Sequence, residues 1–145
     1  MKESLQPGLK YRQVYQVPPD KTVPHLYPES SMFLQMPEVF ATGFMVGLLE
    51  WACIEAIRPH LDWPREQSLG TGVYFSHLAA TPPGFTVTVD KVEGRKLLFS
   101  VTAHDGVDRI SAGTHERHVI DVEKFNARVQ VKKAAGSRGS PTPQQ

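Results

Sequence analysis

The sequence predicts an α+β domain in which a curved antiparallel sheet of about five strands wraps around one long central helix. One strand-like segment precedes a single long apolar helical segment, and about four strand-like segments joined by short turns follow it. Strands joined by short turns pair antiparallel. A lone helix cannot cover both faces of a five-stranded sheet, so a sheet curled around that helix is the simplest way to bury it.

The first strand, over residues 10–17, alternates weakly between apolar and polar side chains and ends at Pro18-Pro19. Residues 20–37 follow as a connection without a regular period, because prolines and serines interrupt it. This connection nevertheless carries several apolar side chains, which must pack on something. Two interpretations have equal weight: a lid over a pocket, and a surface loop pinned by apolar anchors.

The central helix is predicted from its periodicity, and Pro59 stops it near Ile57 or Arg58. Apolar side chains recur with the i, i+3, i+4, i+7 spacing of one helical face. That face comprises Met45, Leu48, Leu49, Ala52, Cys53 and Ala56. Apolar residues also occupy much of the remaining helix surface, so we expect the helix to be deeply buried.

The later strands are expected near residues 71–78, 85–90, 97–103 and 109–122. The sheet they form exposes an edge that can pair with a second copy of the chain, which predicts a homodimer. Small and polar residues, with glycine and proline among them, fill 132–145 and predict a disordered tail. Residues 1–131 then form one domain.

Composition limits the class of function. The 145 residues suit one domain, and 16 Lys+Arg against 15 Asp+Glu argue against a nucleic acid or an anionic membrane as the main partner. A single cysteine excludes a disulfide within one chain. The N-terminus does not resemble a signal peptide and no uncharged apolar run reaches membrane length, so we expect a cytoplasmic protein.

Glu50 is the only charged residue between Glu38 and Glu55. Its helical neighbours are apolar or small, and a carboxylate in such surroundings is costly unless it is paired or protonated. A titratable group of this kind is a candidate catalytic residue. The alternative is a glutamate that reaches a helix partner or water at an interface.

Thr42 stands at the start of the helix, where its hydroxyl could simply act as the N-cap. In the functional interpretation, the free amides of the first turn stabilise an oxyanion, and the hydroxyl attacks or holds a water. Eight helical residues span roughly 12 Å, so Thr42 and Glu50 cannot touch if both are helical.

His77 is predicted to lie on a strand among apolar neighbours, where a histidine is commonly a core residue. With a buried glutamate nearby it could instead be a general base. His115 and His118 are three residues apart on a strand and therefore face opposite sides, which makes them a poor metal pair. We expect no metal and no cofactor.

Gly70 lies at the start of the strand that carries His77, where a glycine allows close approach of the backbone to the helix or to a ligand. Arg117 shares a strand face with His115 and could pair with a phosphate or a carboxylate; the alternative is a solvated side chain. A threonine, a glutamate and a histidine beside a helix N-terminus are suited to acyl transfer.

Long strings of this sequence resemble the fluoroacetyl-CoA thioesterases, a family with the hotdog fold. The strings include PEVFATGFMVGLLEWAC, SLGTG, HLAATPPG, AHDGVD and GTHER, and the resemblance covers roughly residues 11–129. It implies a hotdog homodimer with a sheet wrapped around the central helix. It also implies hydrolysis of a short acyl-CoA, in particular fluoroacetyl-CoA, as a detoxification reaction.

The resemblance implies catalytic roles for Thr42, Glu50 and His77. Thr42 would be the nucleophile or orient it, His77 would move protons, and Glu50 would orient His77 or act on the acyl carbonyl. Gly70 corresponds to a backbone contact near the substrate carbonyl, and Arg117 to an arginine beside the active site.

The resemblance also implies that the connection after the first strand covers the acyl pocket, with the residues Val23, Leu26, Tyr27 and Phe33. The family has a second phenylalanine in this lid where the present chain has Met36, which is flexible and lacks a polarised ring edge. Two other functions therefore stay open: a short-chain acyl-CoA or acyl-carrier thioesterase without fluorine selectivity, and a non-catalytic acyl-CoA binding module.

Overall fold

A computed structural model describes residues 1–95 and 97–137 of the chain. The strands are β1 Leu9–Gln16, β2 Glu66–Phe75, β3 Thr86–Arg95, β4 Leu98–His104 and β5 Arg109–Asp121. They form one antiparallel sheet in the order β1-β3-β4-β5-β2, with β1 and β2 at its two edges. The helices are α1 Ser31–Leu34, α2 Thr42–Ile57 and α3 Val122–Gly136, and single helical turns occupy Pro19–Lys21, Val23–His25 and Arg58–His60.

The predicted central helix is α2, which ends at Ile57 as expected. All six residues of the predicted apolar face are buried. They share one hydrophobic core with inward-facing side chains of β3 and β4, namely Val87, Val89, Phe99 and Val101. The prediction of an α+β fold with a curved sheet around one long helix is confirmed.

The expectation that α2 is buried on nearly every side is wrong for the single chain. Thr42, Gly43, Gly47 and Trp51 are exposed, and Trp51 has 47% of its surface open. The last three are spaced four residues apart and therefore share one helix face. The sheet covers one side of α2 and leaves this opposite side open.

β2 begins at Glu66, earlier than predicted, and ends at Phe75, so His77 follows the strand rather than lying on it. The amides of Ser76 and Leu78 still donate to the carbonyls of Ala112 and Ile110 in β5, at 3.0 and 2.8 Å. These two bonds hold the segment after β2 alongside the sheet and carry His77 towards the start of α2.

The C-terminal helix α3 was not predicted. The side chain of Asp121 caps it by accepting a hydrogen bond from the amide of Lys124 at 3.1 Å, and Phe125 and Val129 are half-buried. Residues 132–136 belong to this helix, which contradicts a disordered tail from 132; the predicted tail from residue 138 onward lies outside the described residues. Within residues 1–95 and 97–137, none of the helices is long and apolar enough to cross a membrane.

Candidate active site

Thr42 and His77 meet at the start of α2. Oγ1 of Thr42 lies 2.7 Å from Nδ1 of His77, within hydrogen-bond distance. The N-cap of α2 is Ala41, which makes no side-chain capping bond. The N-cap interpretation of Thr42 is therefore wrong, and the imidazole is the partner of its hydroxyl.

The His77 ring is partly buried, and its Nε2 lies buried without a hydrogen-bond partner among the residues described. Burial lowers the pKa of His77. The ring is therefore neutral at neutral pH and can accept the proton of a hydroxyl through Nδ1.

The first turn of α2 presents free amides next to this pair. The amide of Met45 donates to the carbonyl of Ala41 at 2.8 Å. The amides of Thr42, Gly43 and Phe44 precede that bond and have no acceptor within the helix. Amides at a helix N-terminus stabilise negative charge, including the charge on an oxygen formed in acyl transfer.

Glu50 is paired rather than isolated. Nη1 of Arg117 donates to its Oε1 at 3.1 Å, and Nε2 of His115 lies 3.5 Å from the same oxygen. Pairing therefore offsets the cost of a carboxylate on an apolar helix. The Glu50 side chain keeps 34% of its surface exposed, so the carboxylate also faces the open side of α2.

Arg117 is buried, with 3% of its side chain exposed, so the interpretation as a solvated arginine is wrong. Besides Glu50, its guanidinium donates twice to Ser68, from Nε to the hydroxyl at 2.9 Å and from Nη2 to the carbonyl at 2.7 Å. Burial lowers the pKa of Arg117 and Glu50 raises it. The guanidinium remains charged, because its ordinary pKa is far above neutrality.

Gly70 allows β2 to approach this cluster. The pairing of β2 with β5 shifts register between Gly70 and Gly72. A Cβ added at Gly70 would collide with Oε1 of Glu50 and lie 3.1 Å from Cε1 of His115. The predicted close approach of backbone at Gly70 is thus present, and the group it approaches is the carboxylate of α2.

The Thr42–His77 pair and the Glu50–Arg117 pair remain apart within one chain. Thr42 and Glu50 both lie in α2, eight residues or roughly 12 Å from each other. In the described part of the chain, the carboxylate of Glu50 contacts Arg117 and His115, whereas His77 contacts Thr42. Within one chain, Glu50 therefore does not contact His77, and an orienting role of Glu50 stays a prediction.

The expected lid lies beside the first turn of α2. Leu26 packs so close to Gly43 that a Cβ on that glycine would lie 2.9 Å from Cδ2 of the leucine. The rings of Tyr27 and Phe33 stack with centroids 5.9 Å apart. Short helical turns therefore hold this segment in place of the irregular loop that the sequence indicates.

Two of the expected lid residues are more exposed than a closed cover requires. Tyr27 has 58% and Met36 has 47% of its surface open, while Val23 is half-buried in its helical turn. A cavity of about 250 Å³ beside the first turns of α2 is lined by Tyr15, Lys21, Phe40, Gly43, Phe44, Gly47, Leu48 and Trp51. None of the five expected lid residues lines it.

The alternation of β5 already placed His115 on the strand face of Arg117 in the sequence analysis. Sequence reasoning missed that His115 and Ser68 both contact the guanidinium. Cys53 of α2 also lies near this cluster, but burial raises the pKa of its thiol to about 12. A thiol of that pKa is not a nucleophile at neutral pH.

A sheet curved around one helix, with acyl-transfer groups at the helix start, defines a protein of the hotdog thioesterase class. A solved thioesterase-superfamily member from Thermus thermophilus has the same fold, with a TM-score of 0.80 and 25% identity over 93% of this chain and 98% of its own. The chain belongs to the fluoroacetyl-CoA-specific thioesterase family, whose model matches residues 19–123.

Individual relatives agree with this assignment. A fluoroacetyl-CoA thioesterase from Streptantibioticus cattleyicolor is 58% identical over 140 residues, which cover 94% of this chain and all of the relative. A mutant fluoroacetyl-CoA thioesterase solved with fluoroacetate has a TM-score of 0.83 and 55% identity, covering 88% of this chain and 98% of its own. Another mutant, solved with fluoroacetate and CoA, has a TM-score of 0.80 and 56% identity over 84% of this chain and all of its own.

Proposed function

We propose that this chain is a thioester hydrolase that converts fluoroacetyl-CoA and water into fluoroacetate and CoA. The observation that carries the proposal is the 2.7 Å contact between Thr42 Oγ1 and His77 Nδ1 at the amide end of α2. Family membership supports the choice of substrate, because a 58% identical relative is a fluoroacetyl-CoA thioesterase.

In the proposed reaction, Thr42 is the nucleophile or the residue that holds the attacking water. Nδ1 of His77 takes the proton of the attacking hydroxyl, and the oxygen of that hydroxyl adds to the thioester carbonyl. The amides at the start of α2 stabilise the resulting oxyanion. The C–S bond then breaks, and the proton passes from His77 to the departing thiolate. If Thr42 is the nucleophile, the acyl group is then bound to Thr42, and a water adds to its carbonyl in the same way.

A homodimer would close the gap between the two halves of this site. Within one chain, Thr42 and Glu50 stand roughly 12 Å apart along the helix, and the Glu50 carboxylate contacts Arg117 and His115 instead of His77. The exposed face of α2 and the edge strand β2, where Val73 and Tyr74 are 45% and 63% exposed, offer a surface for a second copy. Two copies packed with antiparallel helices would set Thr42 and His77 of one against Glu50 of the partner subunit.

Mixed dimers test this arrangement. A dimer of one Thr42→Ala chain and one Glu50→Gln chain holds one intact site if the two residues act across the interface, and none if they act within a chain. We expect about half of the wild-type turnover per dimer in the mixed species and almost none in either parent. Mixed dimers as inactive as their parents would contradict a shared site.

Substrate range is tested by a thiol-release assay over a panel of acyl-CoA esters, with Thr42→Ala as the control. We expect release of CoA from fluoroacetyl-CoA by the wild type and not by the variant. Tight binding without thiol release would instead support a non-catalytic binding module. Mass spectrometry of the quenched reaction distinguishes an acyl group on Thr42 from a bound water as the nucleophile.

Met36 favours a second candidate, a short-chain thioesterase without fluorine selectivity. Its flexible and 47% exposed side chain has no ring edge to meet a fluorine. The apolar residues Val23, Leu26, Tyr27 and Phe33 would still exclude water from the acyl group. Equal kcat/KM for fluoroacetyl-CoA and acetyl-CoA would support the second candidate; a strong preference for the fluorinated substrate would support the first.

The physiological setting follows from the proposed reaction. Hydrolysis of a toxic acyl-CoA is a detoxification. Free CoA esters occur in the cytoplasm, where we expect the protein to act.

Gly70 and Arg117, which surround Glu50, would belong to the same half of the site as that carboxylate.

A further inference from the structure

His115 is a buried histidine that the reaction described above does not use. It lies on β5 with 0% of its side chain exposed. The ring of Phe75 covers it with centroids 5.8 Å apart. Its two ring nitrogens make two different contacts: Nδ1 lies 2.8 Å from the carbonyl oxygen of Gly72, and Nε2 lies 2.9 Å from Nη1 of Arg117.

These partners determine where the His115 proton is. A carbonyl oxygen only accepts hydrogen bonds, so Nδ1 must carry the hydrogen. A guanidinium only donates, so Nε2 must offer its lone pair to Arg117. The ring is therefore neutral and held in one tautomer. Burial lowers the pKa of His115, and the charge of Arg117 acts in the same direction.

The contact with His115 determines where Arg117 places its charge. Ser68 holds Nε and Nη2, which leaves Nη1 to lie between His115 and Glu50. Nη1 donates to Oε1 of Glu50 at 3.1 Å. A ring nitrogen that accepts from Nη1 thus keeps this donor next to the carboxylate, and no cation other than Arg117 contacts Glu50 among the residues described.

We propose that His115 is a positioning residue, which as its neutral Nδ1–H tautomer holds the guanidinium of Arg117 against Glu50 and so keeps that carboxylate oriented towards the open side of α2. The kinetic consequence rests on the proposed thioesterase function. The tautomer and the Arg117 contact do not, because they follow from the geometry of the fold.

Two isosteric variants separate the two bonds of His115. In His115→Gln, the amide oxygen lies near the place of Nε2 and can accept from Arg117. In His115→Asn, the amide nitrogen lies near the place of Nδ1 and can donate to Gly72, but the side chain is too short to reach Arg117. Circular dichroism and thermal unfolding would test whether both variants are folded.

We expect His115→Gln to keep kcat within about three-fold of the wild type. His115→Asn should lose kcat by roughly ten- to hundred-fold, the value of a hydrogen bond to a charged group, with KM changed less than two-fold. Equal losses in both variants, or a loss confined to KM, would overturn the positioning role.

15N NMR spectroscopy of the full-length protein provides a readout that does not depend on turnover. We expect His115 in the wild type to show a protonated Nδ1 and an unprotonated Nε2 at neutral pH. The Arg117 Nη–H signals should be protected from exchange in the wild type and in His115→Gln, and averaged in His115→Asn. A protonated Nε2, or Arg117 signals that are identical in all three proteins, would overturn the proposal; absent turnover with these signals in place would contradict only the thioesterase function.

Discussion

At the scale of single residues, the candidate chemistry depends on two side chains that are 35 residues apart in the chain. Thr42 has an exposed hydroxyl at the first position of α2, and His77 supplies a ring nitrogen 2.7 Å away. A hydroxyl is a weak nucleophile unless an adjacent base accepts its proton. Each residue alone is ordinary, and the contact between them confers the reactivity that we propose.

Removal of either partner should lower turnover strongly. We expect His77→Ala to reduce kcat with fluoroacetyl-CoA by roughly 10²- to 10⁴-fold, the usual contribution of a general base. Thr42→Ala should cause a loss of similar size, whereas Thr42→Ser keeps the hydroxyl and should retain most of the activity. Steady-state thiol release measures all three; a His77→Ala enzyme with unchanged kcat would remove this histidine from the mechanism.

The pH dependence of turnover should follow His77. Its ring accepts a proton only when neutral, and burial lowers its pKa below the ordinary 6.5. As the pH falls through that lowered pKa the ring becomes protonated and the base is lost. We therefore expect kcat/KM to decline towards acid with a midpoint below pH 6.5. The variant His118→Gln, which changes an exposed histidine, should show the same pH profile as the wild type. A midpoint above pH 6.5 would contradict the assignment of His77 as the base.

At the scale of elements, the irregularity of β2 decides how Glu50 is placed. The register shift between Gly70 and Gly72 brings backbone so close to α2 that a side chain at Gly70 would occupy the position of the Glu50 carboxylate. The position of Glu50 therefore depends on both β2 and α2. Neither element's local pattern contains this information, because it is a property of their packing.

Gly70→Ala should displace Glu50 and reduce kcat by at least ten-fold, since the added methyl group meets the carboxylate and, at 3.1 Å, the ring of His115. Gly72→Ala is the matched control on the same strand. The atoms nearest to its methyl group would be those of the Tyr74 and Glu116 side chains, which are exposed and can move. Similar losses in both variants would show that the strand tolerates no side chain here, and would contradict a specific effect on Glu50.

At the scale of the whole molecule, the open face of α2 and the edge strand β2 remain uncovered in one chain. Exposed edge strands pair readily with other strands unless they are blocked. The described structure leaves Val73, Tyr74 and Leu78 exposed along or just after β2. A second copy would cover these groups and complete the candidate site in the same step.

A charged residue introduced on the β2 edge should therefore separate the two subunits of the dimer. We expect the wild type to be a dimer by light scattering and Val73→Lys to shift it towards the monomer, with activity lost in proportion. Val107→Lys provides the control, because Val107 is 76% exposed and lies in the turn between β4 and β5, outside β2. A wild type that is monomeric and fully active would contradict the dimer.

Much of this fold could be predicted from local patterns. The buried face of α2 was correct at every position, because helical periodicity directly records which side meets the core. The long C-terminal helix was missed because its apolar stripe is weak and only half-buried, with Phe125 and Val129 among many charged and polar residues. Such a helix depends on its Asp121 cap and on packing against the sheet.

By itself, the sequence determined the α+β architecture, the central helix and the types of residue available for chemistry, since periodicity and composition are local properties. Only the tertiary structure decided that Thr42 meets His77, and that Arg117 is buried and holds Glu50. Those two contacts join residues 35 and 67 positions apart. They depend on strand register and on the approach of β2 to α2, which no single segment of the chain encodes.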